Sequence, residues 1–469
     1  MNNKSKLKGL VLAICVGLLI WLVPTPPSLD NKAMLLLAIF VSTILAVILN
    51  ALPMGAATLM GLTVAVVTKT LSFSYAFAGY TNPIVWLILS AFFIAYGFIH
   101  TGLGQRIAYF FVAIFGKKTL GLAYGLSFTE LLLAPAIPSV TARSGGIVYP
   151  ITQALCFAFK SNPDNGTQKK LGSYLIIVVF QATVITSAMF LTAMAANPLA
   201  AKFAGDLGIH ITWALWAKAA IVPGLVSLLV MPWFIFKIYP PQITETPGAV
   251  LFAKEKLAQM GPMKRSEILM SIGFFGLLAM WTFGSFFNIS ATEAALIGLA
   301  FLIITGVIKW SELLKLHNAW ETFIWFGALI ALAQALKDFG LASYFSSKIA
   351  ELLTNTNLFV ATALLFLIYF YIHYFFASST AHVSALFLPM LMVAVGLGAP
   401  KIPTAILFAA GSSLFGGLTH YGIGPAPILF GSNFVPLKDW WKIGFLVSLV
   451  NIAIWAGVGF LWWRFLGLY

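Results

Sequence analysis

The chain has 469 residues, of which 61% are apolar and only 9% are charged, with a mean hydropathy of +0.97. A soluble domain carries about 25% charged residues, so this chain has too little polar surface to cover a water-facing globule. Two cysteines exclude a disulfide-rich scaffold, and the apolar content excludes a disordered chain. The composition predicts an all-α polytopic membrane protein.

The net charge of +14 does not indicate a nucleic-acid partner, because lysine and arginine lie between apolar runs and form no basic stripe. In a membrane protein this pattern reports topology. With the N-terminus in the cytoplasm, 18 of the 27 lysines and arginines fall on the cytoplasmic side and 8 outside. We therefore predict a cytoplasmic N-terminus in a bacterial inner membrane.

A helix needs about 20 apolar residues to cross the hydrocarbon. The first such run follows three lysines and lacks a small-residue cleavage signal after it, so we interpret it as an uncleaved span. The eleven predicted crossings are residues 9–24, 33–50, 52–68, 82–100, 172–197, 213–238, 267–288, 291–309, 319–336, 402–430 and 441–467.

Two further apolar stretches, residues 119–158 and 357–399, are too long for one span and are interrupted by small polar residues. The interruptions are Pro138-Ser139-Val140-Thr141 and Ala377-Ser378-Ser379-Thr380. Irregular backbone persists at membrane depth only where protein or a water-filled cavity covers it. We predict two re-entrant hairpins with polar tips, the first entering from the cytoplasm and the second from outside.

The chain contains a repeat at an offset close to 239 residues, the separation of Thr141 from Thr380. The other matches are Ser139 with Ser378, Ala142 with Ala381, Arg143 with His382, Pro150 with Pro389, Trp86 with Trp325, Gly102 with Gly340, Asn50 with Asn288 and Gly61 with Gly298. A colinear series of this kind predicts two units, each with five crossings and one hairpin. An odd number of crossings inverts the second unit relative to the first.

The predicted division of the chain is an extra N-terminal helix at 1–32, a first repeat at 33–238, a cytoplasmic linker at 239–266 and a second repeat at 267–469. Inverted repeats with broken helices are typical of secondary transporters, whose site lies near the membrane midplane where the repeats meet. We therefore expect a transporter with a site between the two tips.

The chemistry of the tips favours an anion. Half-helices that begin at a break direct backbone N–H groups at a ligand, and five tip residues add hydroxyl groups. These are Ser139, Thr141, Ser378, Ser379 and Thr380. Serine and threonine in membrane helices also bond to their own carbonyls, but the symmetric recurrence favours binding.

Arg143 and His382 each follow a tip threonine by two residues. A cation at membrane depth is costly and indicates a functional site. Glu130 is one candidate partner for Arg143, but we favour a dicarboxylate that arrives and leaves, neutralised by Arg143 and protonated His382 together. The remaining histidines, including His373, show no metal-ligand spacing and are expected in loops or packed interfaces.

A second broken region runs from Gly416 to Pro425 and holds four glycines and a proline inside an apolar run. Glycine permits an unwound backbone whose amides approach a ligand, which makes Thr419 and His420 candidate contacts, although helix packing also explains them. Residues 182–197, which are rich in small and hydroxyl side chains, are predicted to form the other broken-helix region. The sequence predicts no cofactor, metal site or catalytic motif.

The paired tips PSVTARSGG and SSTAHVSAL, with THYGIGPAP downstream, resemble the divalent anion/sodium symporter family over almost the whole chain, and most closely its dicarboxylate exchanger branch. The resemblance implies a homodimer, a scaffold part and a mobile part in each protomer, elevator-type alternating access, and C4 or C5 dicarboxylates such as 2-oxoglutarate, malate, succinate or fumarate. We predict that the substrate binds at the tip residues Ser139, Val140, Thr141, Ser378, Ser379 and Thr380, with Thr419 and His420.

Sodium-coupled members of the family carry Ser-Asn-Thr at both tips, whereas here the middle residues are Val140 and Ser379. Valine offers no side-chain oxygen to a hard cation, so we predict no sodium coupling. If the empty site carried two unpaired cations, its crossing would be slow and exchange would be obligatory. The alternatives are a symporter coupled to Na⁺ or H⁺, a channel, and a membrane-embedded enzyme that uses His373, His382 and Glu130.

Overall fold

The computed structural model describes residues 3–353 and 357–469, and within these ranges the chain forms helices and no extended strand. The first two residues of the predicted segment 1–32, and residues 354–356 of the predicted second repeat, lie outside the described residues. Eight of the helices have the length and composition to cross a membrane, and two of these are the arms of the second hairpin. The remaining apolar helices are shorter.

The first half of the chain contains twelve of the described α-helices. They are α1 (Asn3–Trp21), α2 (Ala33–Ile48), α3 (Met54–Val67), α4 (Phe73–Phe77), α5 (Pro83–Thr101), α6 (Leu103–Phe115), α7 (Thr119–Leu133), α8 (Tyr149–Ala158), α9 (Gly172–Met189), α10 (Ala196–Asp206), α11 (Trp213–Ile238) and α12 (Pro247–Met260).

The second half contains eleven more among the described residues. They are α13 (Arg265–Phe283), α14 (Ala291–Ile304), α15 (Trp310–Leu313), α16 (His317–Asp338), α17 (Leu341–Leu353), α18 (Leu358–Tyr371), α19 (Ser379–His382), α20 (Leu388–Gly396), α21 (Lys401–Leu414), α22 (Ala426–Phe430) and α23 (Leu437–Phe465).

All eleven predicted crossings coincide with helices, and two of them are broken. The crossing at 172–197 consists of α9 and the start of α10, and the crossing at 402–430 consists of α21 and α22. Hydropathy alone does not detect such breaks, because most of the residues in the gaps are apolar or small. The result confirms an all-α membrane fold, in which the crossings beside the hairpins are discontinuous.

Each hairpin contains a π-helical segment that ends just before a proline-bearing helix. Thr141–Val148 precedes α8, which has Pro150 in its first turn, and Val383–Phe387 precedes α20, which has Pro389 in its first turn. Proline cannot donate to the carbonyl four residues earlier, and a local π-bulge re-registers the hydrogen-bond ladder. The prolines therefore explain why a π-helical segment precedes the returning helix in both hairpins.

The inverted repeat is visible in the backbone itself. Left-handed backbone conformations, which most residues avoid, recur at repeat-related positions 237 or 238 residues apart. The pairs are Asn50 with Asn288, Lys69 with Gly306, Gly102 with Gly340 and Lys160 with Gly398. Two of these pairs were matched by sequence, and in the other two a lysine takes the place of a glycine. The exact domain boundaries at residues 32, 238 and 266 remain predictions.

The helices pack mainly in two groups. One group joins α2, α3, α5, α13, α14 and α16, and the other joins the two hairpins with α9, α10, α11, α21 and α23. All 18 residues of α9 are buried, and this helix contacts α7, α11 and α21. Because α9 lies at the centre of the second group, the break after it is held between the first hairpin and α21.

Candidate functional site

The two hairpin tips are built alike. The Ser139 hydroxyl accepts a hydrogen bond from the backbone N–H of Ala142 at 3.2 Å, and the Ser378 hydroxyl accepts one from Ala381 at 3.3 Å. Each serine therefore caps the helix that returns from its tip. Because a hydroxyl is also a donor, each capping serine still has a proton for a ligand, and the free N–H groups of both helix starts face the tips.

Both tips meet the same unwound loop between α21 and α22. The Ser379 hydroxyl donates to the Gly422 carbonyl at 3.2 Å. A Cβ atom on Gly424 would come within 2.2 Å of the Thr141 hydroxyl, and one on Gly422 within 2.7 Å of His373 Nε2. These glycines are required for the close approach, through which both tips contact one loop.

Arg143 is completely buried and is fully engaged by the protein. Its Nε donates to Glu130 Oε2 at 2.7 Å, and one terminal nitrogen donates to the carbonyls of Ile137 at 2.7 Å and Ala193 at 2.8 Å. The other terminal nitrogen donates to the Ser187 hydroxyl at 2.9 Å. This corrects the expectation that Arg143 is unpaired in the empty site, because the Glu130 carboxylate balances its charge.

The guanidinium joins the first tip to the break after α9. Ile137 immediately precedes the first tip, and Ala193 lies between α9 and α10. Thr192 also donates to the Pro135 carbonyl at 2.6 Å, and Asn197 donates to the carbonyls of Ser187 and Phe190. At the break after α9, the carbonyl oxygens of Phe190 and Ala193 therefore already have hydrogen-bond partners within the protein.

His382 is equally buried, but its partner is another histidine. His382 Nδ1 lies 3.0 Å from His373 Nδ1, and His373 Nε2 lies 3.0 Å from the Gly422 carbonyl. Phe415 stacks on both imidazoles, and Phe376 stacks on His382. Sequence reasoning missed His373, which was expected in a loop or a packed interface. Its position on the incoming arm of the second hairpin, nine residues before His382, was the available signal.

The two tips differ in charge. Tyr369 lies 239 residues after Glu130, so the repeat places tyrosine where the first unit has a carboxylate. The Tyr369 ring meets the edge of the His382 ring, with centroids 4.7 Å apart, and its hydroxyl bonds to Ser412 at 2.6 Å. The first tip thus holds a neutral ion pair, whereas the second holds a pair of imidazoles.

The remaining predicted contacts occupy different surroundings. Val140 and Thr419 are buried, and the Thr419 hydroxyl has no hydrogen-bond partner among the described residues. Thr380 is half-buried at its tip. His420 accepts a hydrogen bond from Trp441 Nε1 at 3.1 Å and packs on Phe430, so its ring is held by α22 and α23.

A cleft lies beside each tip. The first, of about 290 Å³, is lined by Ser139 and Ala142 together with Tyr96, Lys315 and His317. The second, of about 180 Å³, is lined by residues of the second tip and of the α2–α3 connection, namely Ala377, Ser378, Ala381, Val47, Ile48, Asn50, Leu52, Pro53 and Met54. Both clefts separate the hairpin group of helices from the other group, and they offer a ligand a route to the tips.

Comparison with known proteins identifies the family. Residues 4–469 match the family model described as the sodium:sulfate symporter transmembrane region. The chain belongs to this family. The match confirms the resemblance to divalent anion/sodium symporters, and it makes the chain a membrane transporter rather than an enzyme.

Among relatives of this family member, "Dicarboxylate transporter 1, chloroplastic" of Spinacia oleracea is 50% identical over 99% of the chain and 82% of its own length. "Putative malate transporter YflS" of Bacillus subtilis (strain 168) is also 50% identical, over 100% of the chain and 98% of its own length. The solved structure of the Alcanivorax borkumensis YdaH transporter aligns with a TM-score of 0.55 at 12% identity, covering 98% of this chain and 97% of that one. This last likeness supports the fold alone.

Proposed function

We propose that this transporter is a sodium-independent, obligatory exchanger of C4 and C5 dicarboxylates such as 2-oxoglutarate, malate, succinate and fumarate. The observation that carries the proposal is that the Arg143 guanidinium donates hydrogen bonds to the Ile137 carbonyl beside the first tip and to the Ala193 carbonyl in the break after α9. The names of the relatives in spinach and Bacillus support the substrate class.

The substrate is a dianion because the site offers donors and few acceptors. Two capped helix starts converge on one loop, and the hydroxyls of Ser139, Thr141, Ser378 and Thr380 lie at the tips. Helix N-termini and hydroxyls bind carboxylates well. One tip for each carboxylate suits a short, linear dicarboxylate, and Val140, Ser379, Thr419 and His420 complete the proposed lining.

Sodium independence follows because carbonyl oxygens that could bind Na⁺ already accept hydrogen bonds from the protein. A sodium ion needs several oxygen ligands, and the carbonyls of Ile137 and Ala193 are already engaged by Arg143. Val140 contributes no side-chain oxygen in their place. The positive charge that a bound cation would bring to the first tip is supplied by Arg143 and balanced by Glu130.

The charge-neutralising role first assigned to Arg143 and His382 together therefore falls mainly on His382. Without substrate, the donors of both tips would cross the membrane unpaired, and each unpaired buried polar group costs about 1–3 kcal/mol. The empty carrier should move slowly and the loaded one faster, which makes exchange obligatory. We expect an elevator movement of the hairpin group of helices, in a homodimer within a bacterial inner membrane.

We further propose that this conformation opens to the cytoplasm. With a cytoplasmic N-terminus, both clefts lie at cytoplasmic ends of helices, beside the α2–α3 connection and the start of α16. At the opposite end the two groups of helices touch. Lys202 on α10 donates to Gln334 on α16 at 3.3 Å, and Lys337 donates to the Asp206 carbonyl.

The test is uptake of labelled malate or 2-oxoglutarate into proteoliposomes, with and without internal dicarboxylate, in sodium and in choline buffer. We expect uptake that needs internal dicarboxylate and is equal in the two buffers. His382→Ala should abolish exchange while the oligomer still assembles. Uptake into empty vesicles that rises with Na⁺ or with a proton gradient would instead establish a symporter.

A further inference from the structure

The hydrogen bonds of the two buried imidazoles determine where their protons lie. The Gly422 carbonyl can only accept, so His373 Nε2, which lies 3.0 Å away, carries a proton. If His373 is neutral, its Nδ1 is then an acceptor, and the 3.0 Å contact requires the proton on His382 Nδ1. His382 Nε2 is left bare, and it has no hydrogen-bond partner in the described part of the chain.

The same geometry limits the number of protons. One proton must lie between the two Nδ1 atoms, because protons on both would face each other across 3.0 Å. The pair therefore has a neutral state, with His382 Nε2 bare, and a singly charged state, with a proton on that nitrogen. A second added proton would break the hydrogen bond between the rings.

The described contacts of the imidazole pair include no charged side chain that could balance this charge. Phe376 and Phe415 cover the faces of His382, and aromatic faces accept a cation. Tyr369 is the other titratable group that the described ring contacts bring against His382, and its hydroxyl is engaged by Ser412. Helices α2 and α21 also pack against α19; α2 carries no ionisable residue, and Lys401 of α21 lies at the far end of that helix. His420 and Tyr421, on the unwound loop, bond to Trp441 and to the Tyr374 carbonyl.

We propose that His373 is a positioning residue that holds His382 in its Nδ1–H form, so that the two imidazoles act as a site for a single proton taken up on His382 Nε2. The inference rests on the proposed exchange function and deepens it. The proton gives the second tip one positive charge, and no carboxylate balances it there, since the repeat puts Tyr369 where the first tip has Glu130. Exchange should therefore fall as the pH rises and the pair loses this proton.

The first experiment measures malate exchange in proteoliposomes between about pH 6 and pH 9, where carboxylates are already ionised. In the singly charged pair, His373 accepts a charge-assisted hydrogen bond, so His373→Phe should move the midpoint of the pH profile down by about one pH unit. His373→Gln keeps an amide donor for Gly422 and an acceptor for His382, and should return the midpoint towards that of the wild type. His210→Gln, which changes an exposed histidine outside the site, is the matched control.

A flat wild-type profile, or a His373→Phe profile with the wild-type midpoint, would overturn the inference while leaving dicarboxylate exchange in place. Absence of exchange in the wild type would instead remove the proposed function. If both variants are inactive, nitrogen NMR of histidine-labelled wild-type protein decides. At high pH we expect His382 to be protonated at Nδ1 and His373 at Nε2. Protonation of both of these rings at Nε2 would refute the proposal.

Discussion

Arg143 Nε lies 2.7 Å from Glu130 Oε2, and neither side chain has any solvent exposure. The two residues stand on opposite arms of the first hairpin, one on α7 and the other just beyond the tip. Their charges cancel, and the terminal nitrogens of the guanidinium also donate to Ile137 beside the tip, to Ser187 on α9 and to Ala193 in the break after α9. The pair is thus a structural part of the site.

Removing one partner of this pair should be far more damaging than removing both. Glu130→Gln leaves a buried guanidinium unbalanced, which typically costs about 3–5 kcal/mol, whereas replacing a whole buried pair by apolar residues is often nearly neutral. We expect Glu130→Gln and Arg143→Met each to lower the apparent melting temperature in detergent strongly. The double variant should lower the melting temperature by less than the sum of the two single decreases. Decreases that simply add would contradict the pairing.

Val140→Asn should not create sodium dependence by itself. The substitution restores Ser-Asn-Thr at the first tip, but Arg143 still engages the carbonyls of Ile137 and Ala193. We expect equal exchange in sodium and in choline buffer. The same substitution in an Arg143→Met background is the matched comparison, and sodium stimulation in Val140→Asn alone would show that the carbonyl oxygens do not limit cation binding.

Gly424→Ala should displace the first tip. The added Cβ would lie 2.2 Å from the Thr141 hydroxyl, so the tip or the loop must shift. A misplacement of about 1 Å at a reacting site can cost about 100-fold in rate, and we expect a loss of exchange of at least about tenfold. Gly276→Ala, whose Cβ would meet nothing within 4 Å, is the control.

The steric origin of that loss has its own test. In Gly424→Ala/Thr141→Ala the hydroxyl is gone, and the nearest remaining atom would be the Cβ of residue 141 at 3.5 Å, an ordinary contact. The double variant should recover exchange to the level of Thr141→Ala alone. If it stays at the level of Gly424→Ala, the loop has been disturbed for another reason.

A cysteine in the first cleft should report the side to which the site opens. In a background without Cys15 and Cys156, Asn318→Cys places a thiol in the cleft beside Ser139 and Ala142. A membrane-impermeant thiol reagent should label it in inside-out vesicles, and malate should slow the labelling. Labelling only from the outer face of intact cells would reverse the proposed orientation.

Much of the site was predictable because its determinants are local or repeated. The polar tips interrupt long apolar stretches, and their symmetric spacing identified Arg143 and His382 as equivalent positions. The partners were not predictable in the same way. Glu130 reaches Arg143 because two antiparallel arms pack side by side, and His373 reaches His382 because a 3₁₀ turn at Ile372–Phe375 folds the incoming arm onto the tip. Neither distance along the chain implies contact.

The meeting of both tips at one loop also depends on packing that periodicity does not report. The glycine-rich segment 416–425 was identified from composition, but its closeness to Thr141 and Ser379 depends on how α21 lies against the fully buried α9. Gln181 on α9 donates to the Gly417 carbonyl at 3.0 Å and fixes the start of that loop. An amide side chain in the middle of this fully buried helix was the signal in the sequence for this arrangement.

The second unit has Tyr369 at the position that corresponds to Glu130 in the first unit, and this difference affects how transport responds to membrane voltage. If the hairpin group of helices moves as proposed, its neutral first tip adds no charge to the site, which then carries the substrate's charge and at most one proton on the imidazole pair. When one dianion returns for each that enters, with the pair in the same protonation state both ways, no net charge crosses. The full cycle should then be indifferent to a membrane potential that otherwise acts with about 2.3 kcal/mol per charge at 100 mV, so concentration gradients alone would set its direction.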